Sequence, residues 1–189
     1  MATTLLLARH GETDWNRERR WQGHAEIELN NTGRAQARAL AGELALDGAA
    51  AVYTSDLSRA RETAEIVAEE IGMPVTLDPR LREVDVGEWS GLTWSEVEAR
   101  FPEGARRRLA GETGWEHGEA FEAMGDRVTE ALLEIAAAHD GDRVLVVTHG
   151  GPITAAWLAC GGTFEDRPAV SNCHVLPIRV EGREITRID

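Results

Sequence analysis

Lysine is absent from this sequence of 189 residues, and all 20 basic residues are arginine. Against 33 acidic residues they leave a formal net charge of −13. This balance disfavours a non-specific binder of nucleic acid or of anionic membranes. An anionic substrate would therefore have to be held by a local cluster of arginines.

Cysteines and long apolar runs are also scarce. The two cysteines, Cys160 and Cys173, are too few for a disulfide framework. No apolar run approaches the ~20 residues of a membrane span, and the N-terminus lacks the basic region and long apolar core of a signal peptide. These absences predict a cytoplasmic protein. Without internal repeats or low-complexity linkers, the chain is expected to form a single domain over residues 1–189.

Apolar runs alternate with helical patterns along most of the chain. Strands are predicted at Leu5–Ala8, Ala51–Thr54, Val75–Leu77 and Val144–Thr148, with a closing hairpin at His174–Val180 and Glu184–Ile188. Helices are predicted at Thr32–Leu46, from an N-cap at Ser55–Asp56 to Ile71, from Thr93 to before Pro102, at Glu119–His139 and at Pro152–Leu158. The alternation indicates an α/β fold of three α/β/α layers with a mostly parallel sheet. Residues 83–118 have little strand signal and are predicted to form a small inserted lid.

Two of the predicted strands end in similar segments. One ends at Arg9-His10-Gly11 and the other at Thr148-His149-Gly150. If these strands are parallel, both histidines lie at the carboxyl edge of the sheet, where open α/β sheets bind ligands. A helix with Pro152 in its first turn would direct free N–H groups to the same place.

Arg59 adds a further positive charge near this edge. It falls in the first turn of a predicted helix, where a cation opposes the helix dipole at a cost of about 0.3–1 kcal/mol. Arg9, Arg59 and the two histidines could surround one phosphoryl group with charge-assisted hydrogen bonds. The arginines would also lower the pKa of a neighbouring histidine and keep it unprotonated, the form that attacks phosphorus.

Four segments resemble, in order, the signature motifs of the histidine phosphatase superfamily, which has the phosphoglycerate mutase-like fold. They are LARHGETDWN at Leu7–Asn16, SDLSRARETA at Ser55–Ala64, LREVDVGEWSG at Leu81–Gly91 and VTHGG at Val147–Gly151. The resemblance covers nearly the whole chain, and four ordered motifs are far more specific than one. It implies a phosphatase that needs no metal or other cofactor, because arginines and histidines supply the positive field.

The resemblance implies a role for each matching position. His10 would be the nucleophile and would carry a transient phosphohistidine. Glu83 would protonate the leaving oxygen and then deprotonate the attacking water. Arg9, Arg59 and His149 would hold the phosphoryl oxygens. Further contacts to the phosphate or the substrate body are expected from Thr13, Asn16, Gln22, Gly23 and Gly150.

Other interpretations of these residues stay open from the sequence. Arg59 could pair with Glu62 or Glu65, and Glu83 with Arg80 or Arg82, while Asp85 and Glu88 are rival acids. The run Arg106-Arg107-Arg108 is either a solvated helix face or an attractor of anionic substrates. Two segments depart from many relatives, His117–Ala120 in place of Gly-Gly-Glu-Ser and Glu26 in place of aspartate. Trp115, His117 and His174 are left without an assigned role.

The expected function is hydrolysis of small phosphorylated metabolites, with two alternatives. A phosphoglycerate mutase on this scaffold is generally longer and has a Tyr-Gly stretch after the acid glutamate, whereas Glu83 is followed by Val84-Asp85. A non-catalytic phosphate-binding relative would have lost His10 or Glu83, and both are present. The substrate is left open between a sugar-linked phosphoglycerate, alpha-ribazole phosphate and broad specificity, as is the formation of a homodimer.

Overall fold

Six strands form one mixed sheet in the computed structural model, which describes residues 1–188 apart from the side chains of residues 45–47. They are β1 (Thr3–Arg9), β2 (Ala51–Thr54), β3 (Val75–Leu77), β4 (Arg143–Thr148), β5 (Val175–Glu181) and β6 (Glu184–Arg187). The order across the sheet is β3-β2-β4-β1-β5-β6. Neighbours from β3 to β1 are parallel, whereas β5 is antiparallel to both β1 and β6. The predicted mostly parallel sheet with an antiparallel hairpin at one edge is confirmed.

Helices cover both faces of this sheet. They are α1 (Asp14–Arg17), α2 (Asn31–Asp47), α3 (Ser58–Ile71), α4 (Trp94–Arg100), α5 (Pro102–Leu109), α6 (Phe121–Ala138) and α7 (Gly150–Ala159), with 3-10 turns at Pro79–Leu81 and Gly87–Trp89. Alternate residues of β1 point to opposite faces: Leu6 and Ala8 pack with α2 and α3, while Leu5 and Leu7 pack with α6 and α7. The predicted three-layer α/β/α fold is confirmed. Among residues 1–188, no helix is long and apolar enough to cross a membrane.

Residues 83–118 contain the second 3-10 turn together with α4 and α5. Trp89 is fully buried in this segment, and its ring lies 5.5–6.1 Å, edge to face, from those of Trp21, Trp94 and Trp115. The same hydrophobic cluster includes Leu5 and Leu7 of the sheet. The segment is therefore anchored on the core of the sheet through its tryptophans.

The N-cap predicted for α3 at Ser55–Asp56 is wrong. The helix begins at Ser58, and its N-cap position is Leu57, which provides no side-chain cap. Asp56 is instead held by an ion pair with Arg82 at 2.6 Å, and Ser55 faces the carboxyl edge of the sheet. The first turn is capped from outside by Glu26, whose carboxylate accepts the Ser58 N–H over 2.9 Å.

Two other predicted helices differ slightly in extent. Helix α7 begins at Gly150, two residues before its predicted start, because Gly150 and Gly151 already adopt helical geometry after His149. Helix α6 begins at Phe121, two residues later than predicted, because Glu119 is held outside the helix by its ion pair with Arg127 at 2.6 Å.

The register of β1 and β4 brings the two histidine motifs together. Arg9 is paired with Thr148 in the parallel ladder, and the His10 N–H donates to the Thr148 carbonyl over 2.9 Å. His10 and His149 therefore leave the sheet side by side. The loop after β1 requires glycine, because a β-carbon on Gly11 would lie 2.5 Å from the carbonyl oxygen of Gly33 in α2.

Candidate active site

His10 is almost fully buried at the carboxyl end of β1. Its Nδ1 lies 2.7 Å from the carbonyl oxygen of Gly11. Because a carbonyl can only accept, Nδ1 carries the proton and the neutral ring keeps a free lone pair on Nε2. Asn172 donates a hydrogen bond to the His10 carbonyl over 2.9 Å. The ring is therefore held as a tautomer that can act as a nucleophile.

His149 lies beside His10, with ring centroids 5.1 Å apart. Its Nε2 is 3.0 Å from the hydroxyl oxygen of Ser55, which also accepts the Leu57 N–H and so has its own proton free to donate to Nε2. When the hydroxyl donates to Nε2, the neutral ring carries its proton on Nδ1, an atom with no hydrogen-bond partner among the described residues. His149 can thus offer an N–H donor next to the His10 ring.

Two guanidinium groups lie at the same edge. Arg59 is fully buried and donates to the carbonyl oxygens of Gly23 and Ala25, each over 2.8 Å. Arg9 donates to the Val170 carbonyl over 2.7 Å. The Nε atoms of both arginines are buried without a hydrogen-bond partner in residues 1–188. Since an unsatisfied buried donor costs about 1–3 kcal/mol, this arrangement favours an anion as ligand.

Glu83 directs its carboxylate to the first turn of α7. Oε1 accepts the N–H groups of Gly151 and Val84, both over 3.0 Å. Burial lowers the pKa of Arg9 and, to about 10, that of Arg59, while the negative charge of Glu83 opposes the fall in both. Both arginines remain cations at neutral pH, with the carboxylate close by.

The alternative ion pairs considered for Arg59 and Glu83 are not formed among the described residues. Their suggested partners bind elsewhere, in the pairs Arg34–Glu62, Arg61–Glu65, Arg80–Asp78 and Arg82–Asp56. The rival acids also lie off the cavity wall described next: Asp85 accepts the Gly87 N–H and Glu88 the Glu116 N–H.

A cavity of about 340 Å³ opens at this edge of the sheet. Its wall includes six of the predicted site residues: Arg9, His10, Asn16, Gln22, Gly23 and Glu83. The other four lie off the wall and next to it. Arg59 and His149 contact Gly23 and His10 as described, Gly150 precedes Gly151 of the wall, and the buried Thr13 hydroxyl lies 3.1 Å from the side-chain oxygens of both Asn16 and Gln22.

The three residues that the sequence analysis left without a role differ in whether they line the cavity. Trp115 lines the cavity. His117 has a side chain that is 89% exposed, and His174 is exposed just before β5; neither lines the cavity wall. The arginine run also divides, because Arg106 pairs with Glu103 in solvent whereas Arg108 lines the cavity.

Several residues of this site were missed from the sequence. Asn172 holds the His10 carbonyl, and it also lies 3.3 Å from the Asn16 side-chain oxygen. Its position before β5 was the available signal, because a strand antiparallel to β1 begins beside the end of β1. No sequence pattern pointed to the other missed residues on the wall, which include Arg19, Trp21, Phe121, Phe164 and Arg167.

The pKa of His10 predicts how its ring titrates. Burial lowers this pKa well below the ordinary value of about 6.5, and the charges of Arg59 and Arg9 lower it further. We therefore expect the His10 ring to stay neutral at about pH 6.5, where a free imidazole is half protonated. Ring ¹H–¹⁵N NMR spectra between about pH 5 and 7.5, assigned with His10→Ala, measure this directly.

The same shift predicts a loss of stability in acid. Burial also lowers the pKa of His149 well below its ordinary value. Below about pH 6.5 the unfolded chain therefore binds protons that folded His10 and His149 do not bind. The free energy of unfolding falls as the pH drops through that value. His10→Ala should flatten the dependence of Tm on pH. Both expectations for His10 would be contradicted if its ring were half protonated near about pH 6.5, as a free imidazole is.

Gly151 is predicted to accept no side chain without loss of activity. A β-carbon there would overlap Glu83 Oε1 and lie 3.4 Å from Met124 Cε. Because the flexible carboxylate can move away, Gly151→Ala should fold normally, yet lose about tenfold or more in kcat/KM for alkyl phosphates. Gly125→Ala in α6 is the matched control, since its β-carbon would lie 3.7 Å from the Ala155 β-carbon. Equal activity of the two variants would contradict the prediction.

Comparison with known proteins gives consistent matches. A sequence profile of the histidine phosphatase superfamily (branch 1) matches residues 5–187. Two relatives come from Arabidopsis thaliana: a metal-independent phosphoserine phosphatase, 41% identical over 161 residues (82% of this chain, 68% of the relative), and phosphoglycerate mutase-like protein 4, 40% identical over 158 residues (81% and 69%). The solved structure of a mycobacterial glucosyl-3-phosphoglycerate phosphatase superposes with a TM-score of 0.82 at 30% identity, covering 98% of this chain and 95% of that one.

The chain belongs to the histidine phosphatase superfamily. The family match and the phosphatases among its relatives confirm the predicted class of enzyme, a phosphoric monoester hydrolase. They do not favour the mutase alternative.

Proposed function

We propose that the chain hydrolyses small phosphomonoesters through a phosphohistidine on His10, with Glu83 as the acid and base. One observation carries this proposal: the free Nε2 of His10 and the carboxylate of Glu83 belong to one cavity. Two buried arginines with unsatisfied donors adjoin it. This combination provides a nucleophile, a proton carrier and a positive field for one phosphoryl group.

In the first step, the Nε2 lone pair of His10 attacks phosphorus. The N–P bond forms while the bond from phosphorus to the leaving oxygen breaks. Glu83, which enters this step as the carboxylic acid after taking a proton from solvent, donates that proton to the leaving oxygen. In the second step, the Glu83 carboxylate removes a proton from a water molecule that attacks phosphorus. The N–P bond then breaks, inorganic phosphate leaves, His10 returns to its neutral form and Glu83 releases its proton to solvent.

The positive field around phosphorus comes from the chain itself. Arg9, Arg59 and the Nδ1–H of His149 donate to the phosphoryl oxygens, where charge develops during transfer. No metal is required, since the two arginine cations lie around the phosphoryl group and would repel a divalent ion. The supporting residues Thr13, Asn16, Gln22, Gly23 and Gly150 hold or line the oxygen-binding end of the cavity.

Residues 83–118 act as a lid in this proposal, because they supply Trp115 and Arg108 to the cavity wall. The lid would contact the organic part of the substrate and so determine specificity. A cytoplasmic location is also part of the proposal. The expected substrates of the enzyme are small phosphorylated metabolites.

The experiment is phosphate release from a panel of phosphomonoesters in EDTA, with 3-phosphoglycerate included and His10→Ala as control. We expect release that survives EDTA and disappears in the variant. Interconversion of 3- and 2-phosphoglycerate without release would favour the mutase. Binding of phosphate without either reaction would favour the non-catalytic relative.

A further inference from the structure

The wall of the active-site cavity is far more positive than the protein as a whole. The chain has a net charge of −13, yet the cavity wall contains five arginines (Arg9, Arg19, Arg20, Arg108 and Arg167) and one carboxylate, that of Glu83. Arg9 belongs to the phosphoryl end, and Arg20 is neutralised by ion pairs with Glu18 and Glu96. The remaining positive charge on the wall belongs to Arg19, Arg108 and Arg167.

Arg108 and Arg167 are the outer pair of interest. Arg108 is half-buried in α5, and Arg167 extends from the loop after α7. Neither guanidinium forms a hydrogen bond or an ion pair with any described residue, although each residue lines the cavity. Burial lowers the pKa of Arg108, and the charge of Arg167 lowers it further, so the two cations repel each other.

Acidic side chains are available nearby but do not neutralise this pair. Glu112, Glu122 and Asp126 line an adjoining cleft with Arg108, and Glu165 lies near both arginines in another. None of these four forms an ion pair with Arg108 or Arg167 in the described part of the chain. Two repelling cations without a counter-charge, in an acidic protein, are the arrangement expected of an anion site.

We propose that Arg108 and Arg167 form a second anion-binding subsite, so that the preferred substrate is a phosphomonoester carrying another anionic group. This inference rests on the proposed function, which assigns the phosphoryl group to the His10 end of the same cavity. The second group is a carboxylate or a further phosphate, since a guanidinium binds either. The cavity of about 340 Å³ accommodates a small molecule with both groups.

Matched substrate pairs test the subsite. 3-Phosphoglycerate and glycerol 3-phosphate differ by a carboxylate in place of a hydroxymethyl group, and fructose 1,6-bisphosphate and fructose 6-phosphate differ by one phosphate. In at least one of the two pairs, the wild-type kcat/KM for the more anionic substrate should exceed that for the less anionic one by about tenfold or more. The pair with the larger ratio identifies the second anion. Equal values within both pairs would overturn the inference.

The double variant Arg108→Gln/Arg167→Gln should reduce that ratio to about one, mainly through KM, because a remote anion contributes uniform binding. Arg106→Gln/Arg179→Gln is the matched control, because it removes two exposed arginines and changes the net charge equally. The control should keep the preference. A preference that survives in the double variant, or falls equally in the control, would overturn the subsite. If the double variant fails to fold, Arg167→Gln alone tests the exposed member.

Binding measurements separate this inference from the proposed function. Calorimetric titration of the His10→Ala variant compares affinities without turnover. The ligands are 3-phosphoglycerate, glycerol 3-phosphate and the two fructose phosphates. A preference for the more anionic ligand of a pair supports the subsite if it disappears when Arg108→Gln/Arg167→Gln is added to His10→Ala, even if the wild-type enzyme releases no phosphate. Equal affinities within both pairs would overturn the subsite even if the enzyme is an active phosphatase.

A separate observation concerns Arg127 of α6, which binds the segment before and including Glu83. Its guanidinium donates to the carbonyl oxygens of Arg80, Arg82 and Glu83 over 2.7–2.9 Å. Glu119 orients the same guanidinium through two hydrogen bonds of 2.6 and 2.7 Å. Three carbonyls of the segment are therefore held by one side chain.

We infer that Arg127 is a positioning residue that acts through Glu83. Arg127→Gln should lower kcat/KM by about tenfold for alkyl phosphates and by less for p-nitrophenyl phosphate, whose leaving group needs little protonation. Arg127→Lys, which retains a charge for Glu119, should recover part of the loss. Arg183→Gln, which removes an exposed ion pair with Glu130 of α6, is the control.

The dependence on the leaving group distinguishes positioning from a structural role. An equal loss on alkyl and aryl substrates, or no loss, would overturn the assignment of Arg127. If Arg127→Gln does not fold, Glu119→Gln provides the same comparison, because it releases the guanidinium while leaving its charge.

Discussion

Replacing His10 by alanine should lower kcat by about 10⁴-fold or more, since it removes the nucleophile itself. The loss should extend to every substrate, including activated aryl phosphates, because no leaving group can compensate for an absent N–P bond. Rapid quenching of the wild-type enzyme with a ³²P-labelled substrate should trap label that is stable in alkali and labile in acid, as a phosphohistidine is. His10→Ala should trap none.

His117→Ala is the matched control for this measurement, because it removes a histidine whose side chain is 89% exposed. It should retain wild-type turnover and trapping. Label that remains in His10→Ala, or moves with replacement of His149, would refute the assignment of His10. Circular dichroism checks that the buried site still folds without the ring.

Replacing Glu83 by glutamine should produce a loss that depends on the leaving group. General acid catalysis contributes about 10²- to 10⁴-fold, so kcat/KM for alkyl phosphates should fall by that range. For p-nitrophenyl phosphate the fall should be about tenfold or less, because nitrophenolate leaves without a proton. The parameter kcat/KM is the appropriate measure, since it covers only the steps up to formation of the phosphoenzyme.

The neighbouring carboxylates provide controls for Glu83. Asp85→Asn and Glu88→Gln change acids that lie off the cavity wall and accept backbone N–H groups, so they should leave the leaving-group dependence unchanged. An equal loss on both substrate classes in Glu83→Gln would remove Glu83 as the acid. A selective loss in Asp85→Asn instead would transfer the role to Asp85.

Local sequence signals predicted the elements well where neighbouring residues decide the structure. The end of α3 at Gly72, in the left-handed region, and the capping box of Thr93 and Glu96 that opens α4 follow from residues within one helical turn. The prediction of an N-cap at Ser55–Asp56 was wrong because local signals could not show what these two side chains bind. Both side chains there are bound by partners distant in the chain, His149 and Arg82.

The sequence by itself determined the α/β fold, because strand ends and helix starts are local in the chain, and the resemblance of four ordered motifs to a known family supplied the ten candidate site residues. All ten lie on the cavity wall or beside it. Only the tertiary structure decided that Asn172 holds the His10 carbonyl, which arginine of the run at 106–108 faces the cavity, and that Arg127 holds the Glu83 segment. These features depend on contacts between distant elements, where β5 returns beside β1 and α5 approaches the loop after α7, and such contacts leave no periodic pattern in the sequence.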